Sequence, residues 1–399
     1  MTARRASSFV TASLVALFLV ILAPAVEADH PLRIATFNAS MEGGNYVAPG
    51  EEPTGGELTA ALAGGDHPQL HNVAAIIRRV RPDILLINEF DYTADPAGAI
   101  NAFRSGYLEA PRADLEPIAY PHAFTAPVNT GVDSGFDLDR DGIASGRGQD
   151  AWGYGLYPGQ YGMVLLSRYP IDRAKARTFQ HLPWQAMPGN LLAGLSAPDG
   201  SPWYPAEARE RFPLSSKSHW DVPVVVDGAT VHVLASHPTP PVFDGPEDRN
   251  GRRNHDEIRF WTEYLSNDRD GDWIRDDAGG RGGLRGERFM LLGDLNSSPV
   301  EGDSRRAAIR TLLAHPAVAA GVVPASAGGA AARPDNPHAS THTAAWGQRA
   351  DYVLPSRAGW TVLGGGVFWP APGEPGAALV ADRAASSDHR LVWLDLRLE

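Results

Sequence analysis

The stretch Phe289-Met-Leu-Leu-Gly-Asp294-Leu-Asn296-Ser-Ser-Pro299 decides how this chain is read. Its first four residues form a short apolar run of the kind that makes a buried strand, and Gly293-Asp294 ends that run on a carboxylate. Asp294 and Asn296 also suit an Asx-type turn, which would be a purely local role. The same arrangement recurs along the chain. Asn38 ends Ile34-Ala-Thr-Phe, Glu89 ends Ile84-Leu-Leu-Ile-Asn, and His237 ends Val231-His-Val-Leu-Ala-Ser. Four strands thus deliver oxygen or imidazole groups at their C-terminal ends, and strands running side by side would gather them in one cleft. Asp351 and the pair Asp388-His389 instead precede the strand-like runs Tyr352 to Leu354 and Leu391 to Leu396. An antiparallel strand brings its beginning to the same edge.

Strand-like and helix-like stretches alternate from Leu32 to Leu398 without an internal repeat, which predicts one α/β domain over residues 29–399. Leu70, Val73, Ala74 and Ile77 follow the spacing of an amphipathic helix that Pro82 terminates. Val222 to Val226 and Thr230 to Ser236 flank Asp227-Gly228, a hairpin turn. Arg249 to Leu265 reads as an exposed helix, and its Arg249, Arg252, Arg253 and Arg259 as a solvated face rather than a phosphate grip. Gly/Pro-rich insertions are expected at 40–68, 128–160, 182–220, 266–286 and 316–345. Their aromatics, Trp152, Tyr154, Tyr157, Trp184, Trp203 and Tyr204, are expected to pin loops to the body more than to line a groove.

Arg4 and Arg5 precede an apolar run from Phe9 to Val26 and the small-residue pattern Val26-Glu27-Ala28, the order of a cleavable secretory signal spanning residues 1–28. The expectation is cleavage after Ala28 and a secreted (extracellular), monomeric protein with no membrane insertion. Without residues 1–28 the chain keeps 33 basic and 46 acidic residues, a net charge of −13 against −12 for the whole. An acidic surface disfavours sequence-independent wrapping of DNA, which draws on many cationic phosphate contacts. It leaves room for a local site built on a metal ion. The absence of cysteine excludes thiolate catalysis and cysteine-based zinc sites. Lysine occurs only at Lys175 and Lys217, read first as compositional bias.

Taken together, Ala35-Thr-Phe-Asn38, Ile87-Asn-Glu89-Phe, Leu165-Leu-Ser-Arg-Tyr-Pro-Ile171, Ser236-His237, Leu292-Gly-Asp294-Leu-Asn296, Arg349-Ala-Asp351-Tyr-Val-Leu354 and Ser386-Ser-Asp388-His389-Arg resemble the endonuclease/exonuclease/phosphatase superfamily, its deoxyribonuclease-I-like group. The resemblance implies a four-layer α/β sandwich of two stacked mixed β-sheets with the active site at one end. It implies a metal held principally by Glu89, assisted by Asn38 and Asp388. It makes Asp294 the group that orients or deprotonates water, Asn296 a phosphate contact, and His389, paired with Asp351, an acid/base or charge-stabilising group. His237, where abasic-site endonucleases tend to carry a Tyr-containing motif, leans the reading toward extracellular nucleases and sphingomyelinases.

The residue types fit that chemistry on their own terms. A phosphodiester repels hydroxide, so hydrolysis calls for a hard cation, a positioned water and a stabilised leaving oxygen. Carboxylate and amide oxygens suit Mg2+ or Mn2+. The substrate expected is a phosphoester, nucleic acid slightly favoured; a phosphomonoesterase, a sphingomyelinase-like phospholipase and an inactive binding module are the alternatives. No G-x-S-x-G elbow, H-E-x-x-H helix or Walker loop is present. Asp137-Leu-Asp139-Arg-Asp141-Gly142 opens like a Ca2+ loop, although Gly148 stands where the closing Glu belongs. Asp268-Arg-Asp270-Gly-Asp272 reads as a solvated acidic loop.

Overall fold

The computed structural model describes residues 31–112, 115–266 and 272–399. The leader with its cleavage position lies outside them, as does most of Asp268–Asp272. Eleven strands build two mixed sheets. The first sheet has the order β10 (Trp360–Val367), β11 (Val392–Leu398), β1 (Leu32–Met41), β2 (Ile84–Phe90), β4 (Met163–Ser167), β3 (His122–Phe124). The second has β5 (Arg177–Thr178), β6 (His219–Val226), β7 (Ala229–Ser236), β8 (Phe289–Asp294), β9 (Asp351–Pro355).

Alternation along the strands creates the layers. Ile34, Leu86, Val233, Met290 and Val392 point between the sheets and form one apolar cluster. Their neighbours Ala35, Leu85 and Ile87 point outward, against the helix Pro68–Val80. Leu234, Leu291 and Tyr352 point outward on the other side, against the helix Arg249–Ser266. Strands apolar on both faces need cover on both, and the result is the four-layer sandwich that the resemblance implies. The hairpin between β6 and β7 turns at Asp227 and Gly228, with φ of 48° and 83°; two positive values are what a tight primed turn requires.

Two sequence expectations need correcting. The four C-terminal strand ends do not lie side by side in one sheet. β1 pairs with β2 in one sheet and β7 with β8 in the other, so their ends meet across the sandwich. The helix Arg249–Ser266 is not an exposed, solvated element. Its Arg253, Asn254, Asp256 and Glu257 are buried, and they hold loop backbone. Arg253 donates to the carbonyls of Trp152, Pro213 and Leu214 at 2.7, 2.9 and 3.1 Å. Glu257 accepts from the backbone N–H groups of Ser216 and Thr239 at 2.6 Å each. Asp256 accepts from Trp184 Nε1 at 2.7 Å. An arginine-rich sequence looks solvated only until its donors are counted against loop carbonyls that need partners.

The insertions behave largely as pinned loops. Trp152, Tyr157, Trp184 and Tyr204 are buried, whereas Tyr154 is 51 % exposed. Each buried ring is worth roughly 1.5–3 kcal/mol over an exposed one, enough to offset the ordering of a residue or two of loop backbone. No helix among the described residues is long and apolar enough to cross a membrane.

Candidate active site

Gly293 explains why β8 can end where it does. Its φ is 149°, and a Cβ there would stand 2.0 Å from the Ser236 carbonyl of β7. Only glycine permits that approach, which sets Asp294 level with the end of β7. Asn88 then bridges the sheets: its Oδ1 accepts from Asp294 N at 3.3 Å, and its Nδ2 donates to Ser236 O at 3.4 Å.

Asp294 is the hub. It is 1 % exposed, and Asn38 Nδ2 from the opposite sheet donates to its Oδ2 at 3.1 Å. His237 Nε2 and His389 Nε2 stand 3.3 and 3.5 Å from the same oxygen. Its Oδ1 accepts from Asn296 N at 2.9 Å, so the Asx turn expected locally and the site are one structure. Burial works against the charge of Asp294, but His389, His237 and Asn38 together hold its carboxyl well below the usual carboxylate range.

His389 is wedged between two carboxylates. Its Nδ1 lies 2.9 Å from Asp351 Oδ2, which Thr343 Oγ1 also contacts at 2.6 Å. Burial disfavours the imidazolium, yet Asp351 and Asp294 outweigh it and push the pKa up to about 10. Burial likewise raises Asp351, to about 6. His237 has the opposite environment. Burial and the neighbouring Lys217 push it down to about 4, which leaves it neutral. Two histidines on one carboxylate are thus set to different charge states by what lies behind each.

Glu89 closes the other side. Its backbone is left-handed, φ 57°, at the end of a strand, which turns the side chain into the cleft. Among the described residues its one hydrogen bond comes from Asn38 Nδ2 at 3.0 Å, which leaves its second oxygen without a protein partner. Burial drives its pKa up to about 7. A carboxylate short of partners beside other oxygens fits a hard divalent cation, with Asn38 as a neighbour. Asn38 Oδ1 accepts from Ser40 N at 3.2 Å, so ligation through that oxygen would give up this bond. Asp388 sits at the rim, with Ser40 Oγ at 3.5 Å and Arg383 at 3.7 Å. Arg383 also reaches Glu42 at 3.7 Å. The structure therefore brings Asn38, Glu89, His237, Asp294, Asn296, Asp351 and His389 into one bonded network. Asp388 borders it through Ser40, whose N–H donates to Asn38 Oδ1.

A model of the endonuclease/exonuclease/phosphatase family matches residues 35–389. The chain belongs to that family. Its members are phosphoester hydrolases that depend on divalent metal. A family protein from Beutenbergia cavernae is similar in fold, with a TM-score of 0.50 at 20% identity over 92% of this chain and 72% of its own. Sphingomyelinase C from Streptomyces griseocarneus gives 0.41 at 16% identity, covering 92% and 99%. A beta toxin variant from Staphylococcus aureus, with bound magnesium ions, gives 0.44 at 12%, covering 92% and 99%. A search of curated proteins returned no match.

Three neighbours of the site, Lys217, Arg383 and Thr343, carry no motif, and Asn88 stands inside the Ile87-Asn-Glu89-Phe stretch without a role of its own having been read there. Only Lys217 had a signal, as one of two lysines in an arginine-rich chain. The Asp137 loop likewise has a member that its motif does not name. Asp150, rather than Gly148, brings a carboxylate to within 4.8 Å of those of Asp137 and Asp139.

Proposed function

We propose that the chain is an exported, Mg2+- or Mn2+-dependent phosphodiesterase. The observation that carries this is the Asp351–His389–Asp294 row, an imidazolium held between two buried carboxylates beside the partner-poor Glu89. In this reading Glu89, helped by Asn38 and Asp388, holds the cation, which when bound polarises a phosphoryl oxygen and acidifies water. Asp294 orients the attacking water: a carboxylate held this far below its ordinary range is a better acceptor than proton sink. His389 keeps its proton at neutral pH, with Nδ1 engaged by Asp351 and Nε2 turned to the cleft. It can therefore steady charge on the phosphate and protonate the departing oxygen. Neutral His237 braces Asp294, and Asn296 offers its amide to the phosphate.

The test is a panel of phosphodiesters and phosphomonoesters incubated with the metal-loaded chain. Diesters should be cleaved faster than their matched monoesters. Rapid phosphate release from small monoesters, with diesters and plasmid DNA intact, would replace this reading by a monoesterase.

Export carries its own check, since the secreted form should begin at Asp29. An intact mass that retains Met1 would refute cleavage. At the Asp137 loop we propose a structural Ca2+ held by Asp137, Asp139 and Asp150, whose donors are all hard oxygens. Millimolar Ca2+ should raise the melting temperature by a few degrees, and Asp150→Asn should cancel that rise. An equal rise in the variant would remove the site.

A further inference from the structure

A cavity of ≈ 510 Å³ opens directly from Glu89 and His237. Its walls come from the chain's own insertions, through Leu138, Tyr154, Tyr204 and Lys217, and from the segment that follows β7, through Phe243. That volume suits a small molecule and falls within the range of pockets that enclose one.

The residues lining the cavity include more cations than carboxylates. Lys217, Arg249, Arg253 and Arg383 face it, against the single carboxylate of Glu89, in a protein of net charge −12. Three of the four cations are committed. Arg253 spends its donors on the three backbone carbonyls named above, Arg249 is paired with Glu247, and Arg383 lies between Glu42 and Asp388. Lys217 is not. It is 5 % exposed, and among the described residues its ammonium makes no hydrogen bond and no ion pair. Burial pushes its pKa down, against the pull of Glu257, Glu89 and Asp294, which lie beyond ion-pair distance. A buried ammonium with three unspent donors is costly unless an anion meets it.

We propose that this cavity is a substrate-anion subsite. It takes a compact phosphoester with a second anionic group, phosphate or carboxylate, and Lys217 grips that group. The proposal rests on the phosphoester-hydrolase reading of the adjoining centre. It narrows the substrate class. A trimethylammonium headgroup would meet the unpaired ammonium of Lys217, and a duplex would need a far longer cationic track. Tyr154 and Phe243, 51 % and 78 % exposed at the mouth, offer ring faces to a planar portion of the same molecule.

The experiment compares thymidine 5′-(p-nitrophenyl phosphate) with its 3′-phosphorylated form on the Mn2+-loaded chain. In parallel, calorimetry measures binding of thymidine 3′,5′-bisphosphate and thymidine 5′-phosphate to the metal-free chain. The added phosphate should raise kcat/KM and affinity roughly tenfold or more, the worth of one charge-assisted hydrogen bond. Lys217→Met should bring both ratios close to one, and Lys217→Arg should restore most of the gain. A wild-type ratio near one, or a ratio unchanged in Lys217→Met, overturns the subsite while leaving the hydrolytic centre standing. If neither ester is hydrolysed, the underlying reading fails, and the calorimetric ratio still decides the subsite.

Discussion

Chelation of divalent cations should reduce phosphoester hydrolysis by the chain to background, and Mg2+ or Mn2+ should restore it. The expectation follows from Glu89. Its carboxyl receives a single hydrogen bond, from Asn38, and burial lifts its pKa to about 7. A half-buried carboxylate so poorly matched by protein donors is stabilised by a cation, and the cation must displace a proton to reach it. Two measurable consequences follow. Below about pH 7 the apparent metal affinity should fall about tenfold per pH unit, because the proton competes, and above it the affinity should level off. Glu89→Gln should weaken metal binding by at least the roughly 10- to 100-fold that loss of an outer partner costs elsewhere, and should flatten this pH dependence. Calorimetric metal titrations across pH 5–8 check both. Undiminished hydrolysis in excess chelator would sink the metal mechanism, and a pH-independent affinity would remove Glu89 from it.

The fold was legible because alternation and apolar runs report burial directly. Ile84 to Ile87 is apolar at every position because one face meets the second sheet and the other meets the helix Pro68–Val80. The site was legible to the extent that its residues end strands. Asn38, Glu89, His237 and Asp294 stand at such ends, and the sandwich brings those ends within hydrogen-bond reach of one another. What sequence could not give was which sheet each strand joins. That follows from register and from the close approach at Gly293, and the side-by-side expectation failed there.

The remaining misses share one physical cause: side chains whose roles are set by backbone far away in sequence. Arg253, Asp256 and Glu257 read as a solvated helix because their partners, from Trp152 to Thr239, lie in loops without periodicity. Those same clamps hold Ser216 and hence place Lys217 at the cavity. Asp150 was missed at the acidic loop because a motif fixes positions along the chain, whereas the loop returns a carboxylate two residues later. In each case local pattern identified the element, and long-range hydrogen bonding assigned its function.

Asp294→Asn should lower kcat by about a thousandfold or more with KM little changed, since general acid–base and positioning roles of this kind contribute roughly 10²- to 10⁴-fold. The substitution keeps shape and removes charge. Asparagine can still accept from one neighbour, but it cannot accept from Asn38, Asn296 and both histidines through two equivalent anionic oxygens. It also withdraws one of the carboxylates that keep His389 protonated, so the cost reaches the leaving-group side as well. His389→Gln acts from the other end. It leaves Asp294 and Asp351 without the cation between them, and kcat should fall by roughly 10²- to 10³-fold. Because both residues serve one row, the double variant should cost about as much as the worse single variant rather than the product of the two. Steady-state kinetics on the four proteins, with circular dichroism to verify folding, measure this coupling. Multiplicative losses would mean that the two side chains act independently, and a kcat within tenfold of wild type for Asp294→Asn would remove Asp294 from the chemistry.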